Sequence, residues 1–568
     1  CSSDLGGGVA QVCCSDKKAT QHHPPLSVMF KGAGGIESLL KDGHKHFAGL
    51  DEAVLKNIEA CKGLATITKS SLGPNGMNKL LVNHLDKHFV TSDTGTMVDQ
   101  LEVQHPAARM AVMACKAQEL ECGDASNLVV VTIGALLEQA EELLKQGIHA
   151  ADIVKGYELA RERAMKVLGE AIAWTCDDCK DIEKLSKACK TSLSSKQIGY
   201  EEIIGPLVAQ ACAMVMPSNV SKFDADNVRV AKIIGSSMTQ SQVVNGMVHV
   251  RGAQSVIDKV ENAKVAVFGG GIEMSGTEST AKVLIKDAES LKNFTKGEED
   301  KMEEFVKGIA EKGIKCVISG GPVSDVALHY LNTYKIMVLK TASKFELRRM
   351  CKTLNCPALV RLDVPRADEL GICDSIEVQE IGSTKVTIIR AKDTKISTLL
   401  LRGATANVMD EMERAIDDAV NVIKCTTKDG RFVPGAGATE MEMAHQLQTY
   451  GKEVVGMDQY AVLKFGEALE EVPKILATNA GINTADMITA LYAAHARGEK
   501  AAGVDVESTG QVLDATENAI LDHYESKACA MKLAIDTALT VLRVNHIIIA
   551  KQAGGPKNPA GSPVDDED

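Results

Sequence analysis

The chain has 568 residues, more than a single hydrophobic core usually organises, so two to four domains are expected. An apolar fraction of 45% indicates a globular protein, while a formal net charge of −13 and 3% aromatics exclude the clustered cations and stacking platforms of a nucleic-acid binder. The longest mainly apolar stretch, 128–137, is about half the roughly 20 residues of a membrane span, and no secretion signal is recognisable; a soluble protein with its 16 cysteines reduced is expected.

Residues 1–28 form a Gly/Ser/Lys-rich leader without periodicity, predicted to be disordered; Cys13, Cys14, His22 and His23 within it are therefore not read as a metal site. From 49 to 168 apolar residues fall three and four apart, as in Leu55, Ile58 and Cys61, which predicts helices. Two short runs, Lys79–Val82 and His88–Thr91, flank the turn-like Asn83-His-Leu-Asp-Lys87 and predict a hairpin. Cys176 and Cys179 make a lone CxxC that lacks further metal ligands, and Asp177 and Asp178 disfavour a reactive thiolate, so the pair reads as incidental.

Between 228 and 401 the character changes. Lys264-Val-Ala-Val-Phe268, Cys316-Val-Ile-Ser319 and Ile336-Met-Val-Leu339 are short apolar strands separated by helical stretches, the pattern of an α/β domain. A second hairpin pairs 376–381 with 385–389 across Gly382-Ser383. Helical patterning returns in Val408, Met412, Ile416, Ala419 and Ile423 and continues to about Arg543, so the simplest architecture is an α/β domain inserted into a largely helical one. Residues 553–568, rich in Gly, Pro and acid, read as a flexible tail.

Several segments carry chemistry. Leu72-Gly-Pro-Asn-Gly-Met-Asn-Lys79 is a loop whose backbone N–H groups suit phosphate oxygens, although it lacks the Walker spacing and an ordinary turn explains it as well. Asp93, after the second strand of the first hairpin, and Asp124, before the apolar run at Leu128, suit Mg²⁺ binding and the activation of water; each also fits a loop or helix-capping residue. Asp418 falls off the apolar stripe of its helix, where a solvated position is the default. Val433-Pro-Gly-Ala-Gly-Ala-Thr-Glu440 leads into a helix whose N-terminus favours anions. The glycine runs 269–276 and 318–325 fail the dinucleotide spacing or fit a plain helix start at Pro322, and both read as structural.

In combination these motifs resemble the group II chaperonin family from about Phe30 to Pro559. The specific part is their order: Gly73-Pro-Asn-Gly-Met-Asn-Lys79, Thr91-Ser-Asp93, Val103-Gln-His-Pro-Ala-Ala108, Gly123-Asp124, Thr191-Ser-Leu-Ser-Ser-Lys196, Pro434-Gly-Ala-Gly437 and Ala519-Ile-Leu-Asp522. Asn78, Asn127 and Ser343-Lys-Phe-Glu-Leu-Arg-Arg-Met-Cys351 point to one paralogue within it. The resemblance implies a multidomain α+β chaperonin fold: a mainly helical equatorial ATPase domain (29–160 and 431–552), a split intermediate hinge domain (161–235 and 393–430), and an inserted α/β apical domain (236–392). A helical protrusion between about Gly269 and Phe305 would serve as a lid.

The resemblance also assigns roles. Leu72, Gly73 and Pro74 would contact ATP or ADP, Asp124 would hold Mg²⁺, and Ala125, Ser126, Asn127 and Leu128 would lie at the phosphates. Ser195 and Lys196 would approach from the hinge domain, Gly437, Asp522 and Lys527 would line the nucleoside side, and Asp93 and Asp418 would handle the attacking water. On the apical domain Phe345, Arg348, Arg349 and Lys352 would meet non-native polypeptides, although an amphipathic helix packed on its own domain has the same pattern. Implied partners are paralogous subunits in two stacked hetero-oligomeric rings and unfolded clients such as actin and tubulin, in the cytoplasm, with no nucleic acid and no membrane.

The sequence departs from the family beside two carboxylates. Ser92-Asp93-Thr94-Gly95-Thr96 stands where Asn-Asp-Gly-Ala-Thr is usual, and Ala125-Ser126 follows Asp124 where Gly-Thr is usual. If the family glycine has positive φ, Ala125 is strained. Slow hydrolysis is expected, and a nucleotide-binding scaffold subunit that hydrolyses weakly is the alternative function. A free-standing adaptor outside any ring is a further one.

Overall fold

The computed structural model describes residues 45–48, 50–83, 85–196, 199–273, 288–392, 394–507 and 511–549. The leader with Cys13, Cys14, His22 and His23, the tail 553–568 and positions 274–287 of the expected protrusion lie outside the described residues. Two compact units are present. In one, Lys45–Ala48 pairs antiparallel with His546–Ile549, Phe47 opposite Ile547. The other comprises 49–545.

The larger unit contains an extensive helical core drawn from both ends of its sequence, including Ile58, Leu136, Ile153, Phe465 and Ile535. Its axis is the helix Ser126–Lys145, in which every residue from 128 to 137 is buried. The apolar run is explained by helices on several sides, Leu50–Lys69, Asp458–Leu469 and Tyr524–Leu542 among them; a helix buried all round has no polar face. No described helix is long and apolar enough to cross a membrane. The Tyr157 hydroxyl donates to the Leu136 carbonyl at 2.9 Å, and its ring meets Phe465 edge-on at 5.3 Å. The helix Ala150–Glu170 continues unbroken through position 160, where a domain boundary was expected, because Ala164, Val167 and Leu168 bury in the same core as Tyr157.

A second core gathers the helices Ile182–Ser194, Glu201–Val215 and Ala406–Thr426 against the parallel strands Val228–Ile234 and Ser397–Gly403. The stripe on Ala406–Thr426 runs through Met409, Met412, Ile416, Ala419 and Ile423, so Met409 takes the place expected for Val408, which is exposed.

Those two strands begin an eight-stranded sheet that continues through Gln242–His249, Thr384–Arg390, Gly371–Ile381, Lys259–Phe268, Ile314–Ser319 and Met337–Lys340. The last three are parallel and buried on both faces, with strict alternation. Val265, Val267, Cys316, Ile318, Met337 and Leu339 face the helix Lys344–Leu354, whereas Ala266, Phe268, Val317 and Val338 face the helices Ala288–Glu311 and Asp325–Thr333. The expected hairpin closes with Ile381 opposite Thr384, leaving Gly382-Ser383 as a two-residue turn with Gly382 at φ 67°.

The two glycine runs rejected as nucleotide loops lie against each other. A Cβ on Gly321 would come within 2.6 Å of the Gly271 nitrogen, and Ile272 bridges Val323. The following helix starts at Asp325 with Ser324 as its cap, three residues beyond the expected Pro322 start.

Close helix approach in the main core depends on Gly156, where a Cβ would meet the Ala461 methyl at 2.4 Å and the Asp458 carbonyl at 2.9 Å. Gly156→Val is expected to destabilise this core by about 2 kcal/mol, typical of overpacking, and to lower the thermal unfolding midpoint measured by circular dichroism.

Candidate functional site

A cavity of about 530 Å³ lies where the helical core meets the second core, and its wall includes the Leu72-Gly73-Pro74 turn, the 124–128 segment, Ser195, Lys196, Asp418, Gly437, Asp522 and Lys527. That volume suits a ligand of nucleotide size. Residues far apart in sequence meet here because short polar segments protrude from the ends of well-packed helices.

The first wall is a tight turn after the helix Leu50–Lys69. Gly73 has φ 82°, Gly76 N–H donates to the Gly73 carbonyl at 3.0 Å, and Met77 N–H to Ser70 at 2.7 Å. Asn479 holds it from behind, its amide donating to the Leu72 carbonyl at 2.8 Å.

Opposite lies the start of Ser126–Lys145. The chain enters through Gly123 at φ 69° and Ala125 at φ 63°, ψ 21°. No side chain caps this helix, so its first N–H groups and positive dipole end remain for an anion. Ala125 thus occupies the left-handed region that the sequence raised as a source of strain, at a cost of about 1 kcal/mol relative to glycine. Its N–H donates to Asp124 Oδ1 at 2.7 Å. Burial pushes the Asp124 carboxyl up to about 6, against the pull of that N–H and of Lys196.

Asp93 caps the helix Thr94–Gln100, accepting from Thr96 N–H at 3.0 Å and from the Thr96 hydroxyl at 2.7 Å, both through Oδ2. Its Oδ1 stays free of the cap and lies 3.2 Å from Lys196 Nζ. The capping role and the site role therefore coexist in one side chain. The adjacent Thr94 is 1% exposed and its hydroxyl has no hydrogen-bond partner.

Lys196 also lies 2.6 Å from Asp418 Oδ2. Asp418 is not on a solvated face: the side of Ala406–Thr426 away from the apolar stripe turns into this polar cavity. Burial raises the Asp418 carboxyl well above its usual range, reinforced by the Asp124 and Asp93 charges and opposed by Lys196. For Lys196 burial works against the ammonium, but Asp418 and Asp93 outweigh it and raise its pKa. Asp93 moves the other way, with Lys196 and Thr96 overcoming burial to lower it. Two carboxylates thus share one ammonium, and Asp124 adds a third negative charge nearby. Ser195 donates its hydroxyl to the Ser192 carbonyl at 2.7 Å, which leaves its oxygen lone pairs to the cavity.

At the far end Gly437, φ 76°, precedes the helix Ala438–Gly451, and Asp522 sits on the strand Leu521–His523 opposite Val433. Lys527 lies 2.8 Å from Asp522 Oδ2 and 2.9 Å from the buried Glu440.

The sequence did not single out Glu440, Asn479 or Glu411. Glu411, 2% exposed, accepts from Ser92 N–H at 3.0 Å and from the Ser92 hydroxyl at 2.5 Å, and pairs with Arg414 at 2.7 Å. A signal for it existed: Glu411 precedes Asp418 by two helical turns and so shares its face.

The residues expected to meet polypeptide clients are not part of this cavity. On Lys344–Leu354, Leu347, Met350 and Leu354 are buried in the core of the sheet. Phe345 is 67% exposed, Arg348 and Lys352 are exposed and Arg349 is half-buried, so the outward face is one aromatic ring among cations. Lys352 reaches Asp224 at 3.7 Å.

No group of three or more His, Cys, Asp or Glu among the described residues is arranged to hold a metal alone. Asp124 nonetheless fits Mg²⁺, which commonly takes one or two carboxylates and draws its other ligands from phosphate and water. The excess negative charge around Asp124, Asp93 and Asp418 is what a divalent cation would offset.

The TCP-1/cpn60 chaperonin family matches residues 64–552. Among curated relatives, the chain is 48% identical to T-complex protein 1 subunit theta of Arabidopsis thaliana over 530 residues, 93% of this chain and 96% of that one. It is 47% identical to the subunit of the same name from Homo sapiens over 539 residues, 94% and 98% of the two chains. The Dictyostelium discoideum protein of that name is 46% identical over 536 residues, 94% of this chain and all of its own.

Removing the shared ammonium should be costly. Lys196→Met is expected to destabilise the chain by about 3 kcal/mol, the scale for breaking a buried ion pair. A carboxyl with a raised folded pKa, as at Asp418, penalises the fold when ionised and ceases to do so as pH falls. The loss in thermal midpoint, read by scanning fluorimetry, should therefore be larger at pH 8 than at pH 5.

Proposed function

The chain belongs to the TCP-1/cpn60 chaperonin family, and we propose that it is a theta-type subunit of a cytosolic, ATP-dependent double-ring chaperonin that encloses and folds non-native polypeptides. The observation that carries the ATP-driven part is the Lys196 ammonium held between Asp93 and Asp418 in the wall of a nucleotide-sized cavity.

Within this function the chain divides as its motifs imply. An equatorial body takes 29–170 and 431–552, the helix Ala150–Glu170 carrying it past the boundary expected at 160; a hinge takes 171–235 and 393–430, and an apical body 236–392. In support, separate hydrophobic cores occupy the helical body, the Asp418 helix with its neighbours, and the sheet. Paralogous subunits complete the rings.

In the cavity, the Leu72-Gly73-Pro74 turn and the uncapped N-terminus at 125–128 cradle the phosphates, and Asp522 and Gly437 receive the nucleoside. Mg²⁺ on Asp124 would supply charge neutralisation for the phosphate oxygens. Lys196 presents positive charge from the hinge side. Asp93, oriented by Thr96, and Asp418 orient the attacking water and take its proton as its oxygen bonds to the γ-phosphorus and the bond to the ADP oxygen breaks. Asp418 belongs to the second core and Asp93 to a loop on the first, so water activation requires the two to be brought into register, which couples hydrolysis to movement. Client polypeptides meet the outward face of Lys344–Leu354, where Phe345 offers apolar area and Arg348, Arg349 and Lys352 offer charge.

A weakly hydrolysing scaffold is favoured by two observations: Ala125 is held at φ 63° beside the phosphate-facing N-terminus, and Thr94 buries an unpartnered hydroxyl next to Asp93. Two measurements on the purified ring separate the readings. Asp418→Ala should lower the hydrolysis attributable to this subunit roughly 100-fold while nucleotide stays bound; unchanged phosphate release assigns the chain to the scaffold. Thr94→Gly with Ala125→Gly should accelerate hydrolysis, and an unchanged rate means that neither residue slows it.

A further inference from the structure

Glu440 occupies the first turn of Ala438–Gly451, and its side chain is 2% exposed. A carboxylate so deeply buried needs a countercharge, and Lys527 provides it. Lys527 Nζ lies 2.9 and 3.1 Å from the two oxygens of Glu440 and 2.8 Å from Oδ2 of Asp522. Of the three N–H donors of the ammonium, one is engaged by each carboxylate, and the second Glu440 oxygen stands at ion-pair distance. Lys527, itself 4% exposed, is thus drawn to Glu440 as much as to Asp522. Burial disfavours its charge, but Asp522 and Glu440 reverse that and raise its pKa.

Asp522, Glu440 and Lys527 all line the cavity, but Asp522 is one-third exposed whereas the other two are almost wholly buried. Its backbone is fixed by strand pairing to Val433, and Lys527 engages its Oδ2. Its Oδ1 lies beside Gly435, where a Cβ would come within 3.1 Å of it, so the glycine leaves this oxygen room. A carboxylate tied through one oxygen and open at the other is an acceptor for a sugar hydroxyl.

We infer that Glu440 is a positioning residue for sugar recognition: by occupying Lys527, it keeps the second oxygen of Asp522 free to accept from a ribose hydroxyl. Without Glu440, Lys527 has N–H groups to spare and Asp522 is the anion beside it. The ammonium then closes over both Asp522 oxygens and removes the acceptor. The inference rests on the proposal that this cavity takes ATP.

The test is photolabelling of this chain by 8-azido-ATP in the intact ring, competed with ATP or with 2′,3′-dideoxy-ATP. The unsubstituted chain should prefer ATP over the dideoxy competitor by about tenfold, the scale of a hydrogen bond to a charged acceptor. Glu440→Gln should bring that ratio close to one, as should Asp522→Asn, whereas a purely structural role would lower the thermal midpoint and leave the ratio intact. A wild-type ratio in Glu440→Gln overturns the inference. Should that variant fail to fold, Glu440→Asp keeps the charge but shortens the reach; an intermediate ratio supports the inference and an unchanged one overturns it. Absence of ATP-competed labelling in the unsubstituted chain sinks the nucleotide proposal itself, and equal competition by the two nucleotides sinks only the sugar recognition.

Discussion

The arrangement depends on one buried cation. Lys196 lies within 3.2 Å of Asp93 and 2.6 Å of Asp418, which belong to segments packed in different hydrophobic cores. Without it, those carboxylates and Asp124 would be crowded in a low-dielectric pocket, where like charges disfavour one another's ionisation. A second contact aligns the same surfaces: Glu411, two turns before Asp418, receives both the N–H and the hydroxyl of Ser92, the residue before Asp93. The helix Ala406–Thr426 is therefore referenced to the Asp93 loop at two points, one neutral-to-anion and one through a shared ammonium. Because these contacts lie along a single rigid helix, tilting it changes both together.

Much of the fold was legible because it depends on local chemistry. Both hairpins follow from turn residues between β-like runs, and the parallel strands follow from short apolar segments bounded by Gly and Ser. The distinctions that failed were of orientation. Val408 and Met409 are both apolar and adjacent, and only packing against the neighbouring helices selects Met409 for the buried stripe. Position 160 lay within a continuous helical pattern, and only the tertiary core shows that the helix belongs to one body to its end.

The site was legible in part, for a different reason. Its motifs could be placed by family resemblance, but a periodicity argument sent Asp418 to solvent because the off-stripe face of a helix normally meets water. Its partner Lys196 is far away in sequence, so no local pattern reports the cavity between them. Glu440 was hidden by its ordinary appearance: an acid in the first turn of a helix usually needs no partner beyond the helix dipole, whereas this one is buried against Lys527. Ala125 is the opposite case, where the residue type alone raised the question of positive φ and the backbone geometry answered it.

The short sheet behind Asp522 has a consequence for the order of assembly during synthesis. It joins Trp174–Thr175, Arg431–Pro434 and Leu521–His523, and the helical core around it likewise combines helices before residue 170 with helices after 438. On a ribosome the early helices can pack on one another, but the apolar faces that meet Asp458–Leu469 and Tyr524–Leu542 stay unpartnered until nearly the whole chain has been made. The part of the sheet within residues 242–390, with the helices on its two faces, is meanwhile contiguous in sequence and can fold before the last helices appear. A protein of this construction thus exposes, while being translated, the kind of apolar surface that chaperones bind.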